Sequence, residues 1–254
     1  MQAFTAMPVL NPTLKGDAPQ SSRAAASIAL SGVLLASCAF AAQKGLQLAP
    51  AYPYLVIGGF AVAGVAIARL AGRHLPGRSF GAANQVTLLR VALTALLLGL
   101  IGEAPSPALG WFALGLAVPA LLLDGVDGWL ARRCGTVSGF GARFDLEADA
   151  LLIAVLALLA WRLDKAGDWV LLAGALRYAF VAAGRVAPWL RRGLPYSRRR
   201  QTVCVIQVAA LLWCLAPWST PPLSDWAAFA GVVTLSWSFA VDVRWLAKRA
   251  RMPL

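Results

Sequence analysis

Charge is scarce in this chain, and acid is scarcer than base. Of 254 residues only 13% are charged, with 11 Asp and Glu against 23 Lys and Arg. A soluble domain carries about a quarter charged residues. With 59% hydrophobic residues and a mean hydropathy of +0.69, the composition points instead to an integral membrane protein. The single histidine, His74, sits in a basic polar stretch, which argues against histidine acid–base chemistry. The four cysteines, Cys38, Cys134, Cys204 and Cys214, form no C-x-x-C pair, and three of them lie in apolar stretches. Neither a disulfide framework nor a zinc site is indicated. The net charge of +12 does not signal nucleic acid, because the basic residues lie between apolar runs, where the positive-inside rule accounts for most of them.

What the chain does have is a series of apolar runs. Residues 1–23 hold Pro, Gly, Ser and Gln without apolar period and read as a flexible tail. Runs follow at 24–42, 52–70, 84–102, 108–132, 141–161, 167–187, 202–218 and 224–246, each close to the ~20 residues that cross a bilayer. The expected fold is all-α, a polytopic transmembrane bundle of eight helices: two N-terminal ones over 24–70 and six over 84–246, with no separate soluble domain. Trp111, Trp161, Trp169, Trp189, Trp218, Trp226 and Trp245 fall near the run ends, as in an interfacial belt. Lys44, Arg162 and Lys165 are the only basic residues that fall to one side, so both termini are expected on the cytoplasmic side.

The few acids are concentrated. Asp124 and Asp127 are spaced i, i+3, and Asp145 and Asp149 are spaced i, i+4, so each pair shares a helix face. The glycine-containing stretch 133–140 would turn the chain so that the two faces meet. Charges inside a membrane are costly and like charges cannot compensate each other, so the cluster needs protons, basic side chains or divalent cations. An all-oxygen donor set suits hard ions, and four carboxylates fit two of them. Such a pair of ions is suited to holding a phosphate or pyrophosphate. Gly128 and Ala131 leave room beside the acids, Arg132 offers a phosphate fork, and Gly141 could serve similarly from the second helix. Asn84, Thr87 and Arg90 recur at i, i+3 and i+6 and present one polar face as ligand or packing partners of the site. Arg177 lies in mid-run, Arg185 roughly on the same face, and Arg191, Arg192, Arg198, Arg199 and Arg200 follow. Arg177, Arg185 and Arg200 are the candidate acceptor-binding residues. The run as a whole also fits orientation and contact with anionic lipid headgroups. Glu147 points away from the acid face, and Pro119 would bend its helix just before Asp124. A cation or proton transporter would explain buried acids, but not the Gly-x-x-Ala-Arg insert.

At Asp124, Asp127, Gly128, Ala131, Arg132, Gly141, Asp145 and Asp149 the chain resembles the CDP-alcohol phosphatidyltransferase family signature, D-x-x-D-G-x-x-A-R, eight residues, G-x-x-x-D-x-x-x-D. The stretch beginning Asn84-Gln85-Val86-Thr87 also looks like the entry to that family's first core helix. The resemblance covers about 84–246 and implies that an acceptor hydroxyl attacks the phosphorus bearing the alcohol of a CDP-linked donor, with release of CMP. It implies two divalent cations, Mg²⁺ or Mn²⁺, held by Asp124, Asp127, Asp145 and Asp149, with Asp149 also the catalytic base. Gly128, Ala131, Arg132 and Gly141, with Asn84 and Thr87, would line the CDP-binding site. The implied setting is phospholipid biosynthesis in the cell (inner) membrane, with CDP-diacylglycerol as donor, a homodimer among the partners and a site opening to the cytoplasm. Two departures argue against glycerol phosphate as acceptor. Arg177-Tyr178 stands where such members commonly have Arg-Glu, and Ser197 to Thr202 stands where they have a Gly-Lys-x-Lys-Thr-like stretch. A non-catalytic relative would be expected to have lost an acid, and none is lost.

Overall fold

The computed structural model describes residues 21–74, 80–133, 138–195 and 197–251; within these, the side chains of residues 21–23, 72–74, 127, 131, 132 and 251 are not described. Eight long helices account for nearly all of this part: α1 Ser21–Leu46, α2 Tyr52–His74, α3 Ala82–Gly99, α4 Pro107–Arg133, α5 Gly139–Arg162, α6 Leu171–Val186, α7 Arg198–Leu215 and α8 Leu223–Arg251. Short 3-10 turns follow α3 and precede and follow α6, and no strand occurs among the described residues. All eight expected helices are present. Helix α1 already begins at Ser21, and the expected tail before it lies outside the described residues.

The eight expected spans differ in apolarity. Among the described residues, six helices are long and apolar enough to cross a membrane, and α5 and α7 are not among them. Helix α5 carries Arg143, Asp145, Glu147 and Asp149 in its first half, and α7 opens on Arg198, Arg199 and Arg200. Both are lined by neighbours. Helix α5 packs against α3, α6 and α7 and buries Phe140, Phe144, Ala148, Leu152, Leu156 and Leu159 among others, while α7 packs chiefly on α8 and also on α5 and α4. Intramembrane charge is tolerated where it faces the bundle rather than lipid.

Polar contacts tie the odd-numbered helix-to-helix turns together at one end. The Ala49 amide between α1 and α2 donates to the Glu103 carboxylate after α3, at 3.0 and 3.2 Å to its two oxygens. Arg162 Nε donates to the Ile101 carbonyl at 3.2 Å, and Lys165 Nζ donates to the Ser219 carbonyl between α7 and α8. Trp111 and Trp218 also meet here, with centroids 5.2 Å apart. Lys44, Arg162 and Lys165 therefore gather at this end, and the acids at the end of α4 and the start of α5 lie toward the other.

Helix α3 is the spine of the site. Its inner face packs on α4 and α5, and its other side is covered by α1 and α2. The Tyr52 hydroxyl, fully buried, donates to the Leu96 carbonyl at 3.2 Å, and a Cβ at Gly99 would fall 2.6 Å from Val56 and 2.7 Å from Tyr52. Glycine there lets α2 approach α3 closely, as small residues do at helix contacts in membranes.

Candidate active site

The N-terminus of α5 is fixed first. Ser138 is its N-cap, its Oγ accepting from the Gly141 amide at 3.0 Å. Phe140 and Phe144 on successive turns bury themselves against each other and against Phe80, with centroids 5.7 to 6.3 Å apart. That aromatic contact sets the rotation of α5. Phe140 and Phe144 take the buried side, and Asp145 and Asp149 are carried to a neighbouring face toward α3 and α4.

Asp124 of α4 and Asp145 and Asp149 of α5 converge so that one carboxylate oxygen from each lies within 4.8 Å of the others. The two acid faces meet without close packing of the two helices. They make little direct contact, and α3 and α7 each touch both, so that α4 and α5 face one another across the acids. Asp127 is one turn beyond Asp124, and Ala131 and Arg132 one turn further; these side chains lie outside what the structure describes. Gly128 lies in the same stretch of α4 and is half-buried.

Arg90 of α3 fills the space between the acids. Its side chain is 2% exposed; Nη1 lies 2.6 Å from Asp145 Oδ1 and 3.2 Å from Asp124 Oδ1, and Nη2 donates to Asp149 Oδ1. Its Nε donates to the Ala120 carbonyl at 3.1 Å. A buried guanidinium is tolerated only when paired, and here three carboxylates surround it. The other residues of the same polar face are also turned inward. Asn84 and Thr87 are buried, Thr87 Oγ1 donates to the Ala83 carbonyl at 3.1 Å, and a Cβ at Gly141 would stand 3.1 Å from Asn84 Oδ1. Glycine at 141 thus permits the close approach of Asn84 to the first turn of α5. The role of Arg90 as ion partner was the main feature that sequence reasoning missed, although its i+6 spacing from Asn84 marked the face.

The three arginines expected at an acceptor are engaged differently. Arg177 of α6 donates to Glu147, which lies on a different side of α5 from Asp145. Arg200 lies 3.4 Å from Asp242 of α8 and also donates to the Pro195 carbonyl. Arg185 is exposed near the end of α6. Arg199 donates to Asp242 and, at 2.7 and 2.8 Å, to the Ser238 carbonyl and hydroxyl. Asp242, buried and unremarked in the sequence, is the acid that joins α7 to α8.

Residues 80–240 match the CDP-alcohol phosphatidyltransferase family. The chain belongs to this family. The matched region begins just before α3 and ends within α8, so the acids, Arg90, Asn84 and Gly141 all fall inside it and α1 and α2 fall outside. The chain is also 24% identical over 184 residues to the CDP-diacylglycerol–glycerol-3-phosphate 3-phosphatidyltransferase of Bacillus subtilis (strain 168), covering 63% of this chain and 93% of that protein. No solved structure matches. Together these findings support a CDP-alcohol phosphotransferase in phospholipid biosynthesis, built as an integral membrane protein. The family uses divalent metals, and the acids fit such ions on chemical grounds. The donor set is all oxygen, the oxygens are close enough to share a cation, and a cationic side chain already lies among them.

Proposed function

We propose that the protein transfers a phosphatidyl group from CDP-diacylglycerol to a hydroxyl acceptor and releases CMP. The observation that carries this reading is the convergence of Asp124, Asp145 and Asp149 from two helices inside the region matched to the family. Asp124, Asp127, Asp145 and Asp149 would hold two divalent cations, Mg²⁺ or Mn²⁺, which when bound supply positive charge for the donor's diphosphate. Asn84, Thr87, Gly128, Ala131, Arg132 and Gly141 border the CDP moiety. Helix α3 and the first turn of α5 bring Asn84 and Gly141 together, in the same region as the acids, which supports that reading.

In the reaction, Asp149 takes the proton of the acceptor hydroxyl as its oxygen bonds to the phosphorus bearing the diacylglycerol. The bond from that phosphorus to the bridging oxygen breaks, and CMP leaves with the electron pair. Six helices, α3 to α8, form the catalytic core, and α1 and α2 buttress α3 from outside. The chain crosses the cell membrane with its acids toward the cytoplasm, because the basic residues outside the spans gather at the acid-bearing end. The acceptor is a hydroxyl compound other than glycerol phosphate. Arg199 and Arg200, at the start of α7, are held by Asp242, and the Gly-Lys-x-Lys-Thr-like stretch is replaced there.

The test is product identification. Detergent-purified protein with CDP-diacylglycerol and Mg²⁺ or Mn²⁺ is offered polyols, sugar phosphates, amino alcohols, serine, glycerol 3-phosphate and phospholipids, and new lipids are read by mass spectrometry. One acceptor-dependent phospholipid is expected. Product with glycerol 3-phosphate alone would overturn the acceptor assignment, and no product with any acceptor would overturn the donor.

A further inference from the structure

Resting on the reading of the acids as a divalent-cation seat, we propose that Arg90 is the resident counter-ion of that seat and that a divalent cation enters by displacing its guanidinium. Every nitrogen of Arg90 is engaged: Nε on the Ala120 carbonyl at 3.1 Å, Nη1 between Asp145 at 2.6 Å and Asp124 at 3.2 Å, and Nη2 on Asp149. Among the described side chains, the acids it binds are the three whose oxygens lie within 4.8 Å of one another. A magnesium ion bonds carboxylate oxygen at about 2.0–2.1 Å. Asp124 and Asp145 would hold such an ion with the same carboxylates that Nη1 now engages. The two cations exclude each other there, sterically and by charge.

The exchange has a clear direction. A guanidinium brings one delocalised charge to 2.6 Å or more from two of its acids, whereas divalent ions bring twofold charge to shorter distances, so Coulomb attraction favours the ions when they are present. When they are absent, a weakly hydrated and permanently charged guanidinium is the side chain best suited to remain buried among carboxylates. Arg90 comes from α3, not from the helices that carry the acids. It can leave the seat without disturbing the spacing of Asp145 and Asp149, and until it does it keeps α4 and α5 from repelling one another. The metal-free protein is then folded, at the cost of apparent affinity for the ion.

Mn²⁺ binding to metal-free protein in detergent, followed by electron paramagnetic resonance, tests this in wild type, R90Q and R90K, with thermal unfolding measured alongside. R90Q is expected to bind Mn²⁺ about tenfold or more tightly than wild type. Its metal-free form should melt at a lower temperature than wild type, and Mn²⁺ should raise that temperature more than it raises the wild type's. R90K, which keeps a charge but not the fork, should fall between the two and carries the test if R90Q does not fold. A purely structural arginine would not give opposite changes in metal-free stability and metal affinity. Wild type that binds Mn²⁺ while the folded variants bind it equally or more weakly would overturn the displacement alone. No Mn²⁺ binding by wild type or either variant would overturn the divalent seat and, with it, this inference.

Discussion

Two arginine–carboxylate clusters occupy the bundle, and their stoichiometry is opposite. In one, among the described side chains, the single guanidinium of Arg90 lies among Asp124, Asp145 and Asp149. In the other, Arg199 and Arg200 converge on the single carboxylate of Asp242, with Arg199 also bonded to Ser238 and stacked 5.6 Å over Trp237. The first holds acids in excess of base and calls for further cations. The second holds base in excess of acid, with both arginines on one oxygen of the carboxylate, which suits a clamp between α7 and α8. The same pair of side-chain types thus makes a seat that could take a cation or a joint between helices, according to which charge is in surplus.

The sharpest way to break this comparison is to remove a carboxylate from each cluster. Asp149→Asn should lower turnover by about 10²–10⁴-fold, the range for loss of a positioned base, in a CMP-release assay on folded protein. Asp124→Asn and Asp145→Asn should weaken Mn²⁺ binding, measured by titration, while the protein remains folded. Asp242→Asn should act on the other side of the comparison. Loss of the charge-assisted bonds is expected to cost about 1–3 kcal/mol, seen as a melting temperature lower by a few degrees, with Mn²⁺ affinity unchanged. A change in metal affinity with Asp242→Asn would mean that the two clusters are not independent.

Smaller effects sharpen the account. Gly141→Ala places a methyl group 3.1 Å from Asn84 Oδ1, so Asn84 must shift by a few tenths of an ångström; the KM for the CDP-linked donor should rise severalfold with little change in stability. Glu147→Gln removes the partner of Arg177 in a pair whose acid side chain is 48% exposed, and the stability change should stay within about 1 kcal/mol by thermal unfolding.

Much of the site was legible in the sequence because its signals are local. The i, i+3 and i, i+4 spacing of the four aspartates, the small residues beside them, and the polar face of Asn84, Thr87 and Arg90 each lie within one helix. The helices were legible for the same reason, as runs of the right length. What local spacing could not supply was the pairing across helices. Arg90 is 55 residues from Asp145 and 59 from Asp149, and the polar face it shares with Asn84 and Thr87 marks it as a partner of the site without showing which acids it would pair with. Asp242 has no acidic residue near it in the sequence, and its partners Arg199 and Arg200 read from the sequence as part of a basic run at the headgroups, with Arg200 also a candidate for the acceptor. Glu147 was correctly turned away from the acid face, but its bond to Arg177 depends on how α6 packs on α5. Helices α5 and α7 are less apolar than the other six because α5 carries Arg143, Asp145, Glu147 and Asp149 in its first half and α7 opens on three arginines.

The central claim is that the acids between α4 and α5 carry metal-dependent phosphotransfer. Its most direct test is acceptor-dependent CMP release from CDP-diacylglycerol by wild type and Asp149→Asn, before and after EDTA and again after Mg²⁺ is restored. The account predicts release by wild type that stops with EDTA, returns with Mg²⁺ and is nearly lost in the variant. Release that persists in EDTA, or at the wild-type rate in Asp149→Asn, would contradict it.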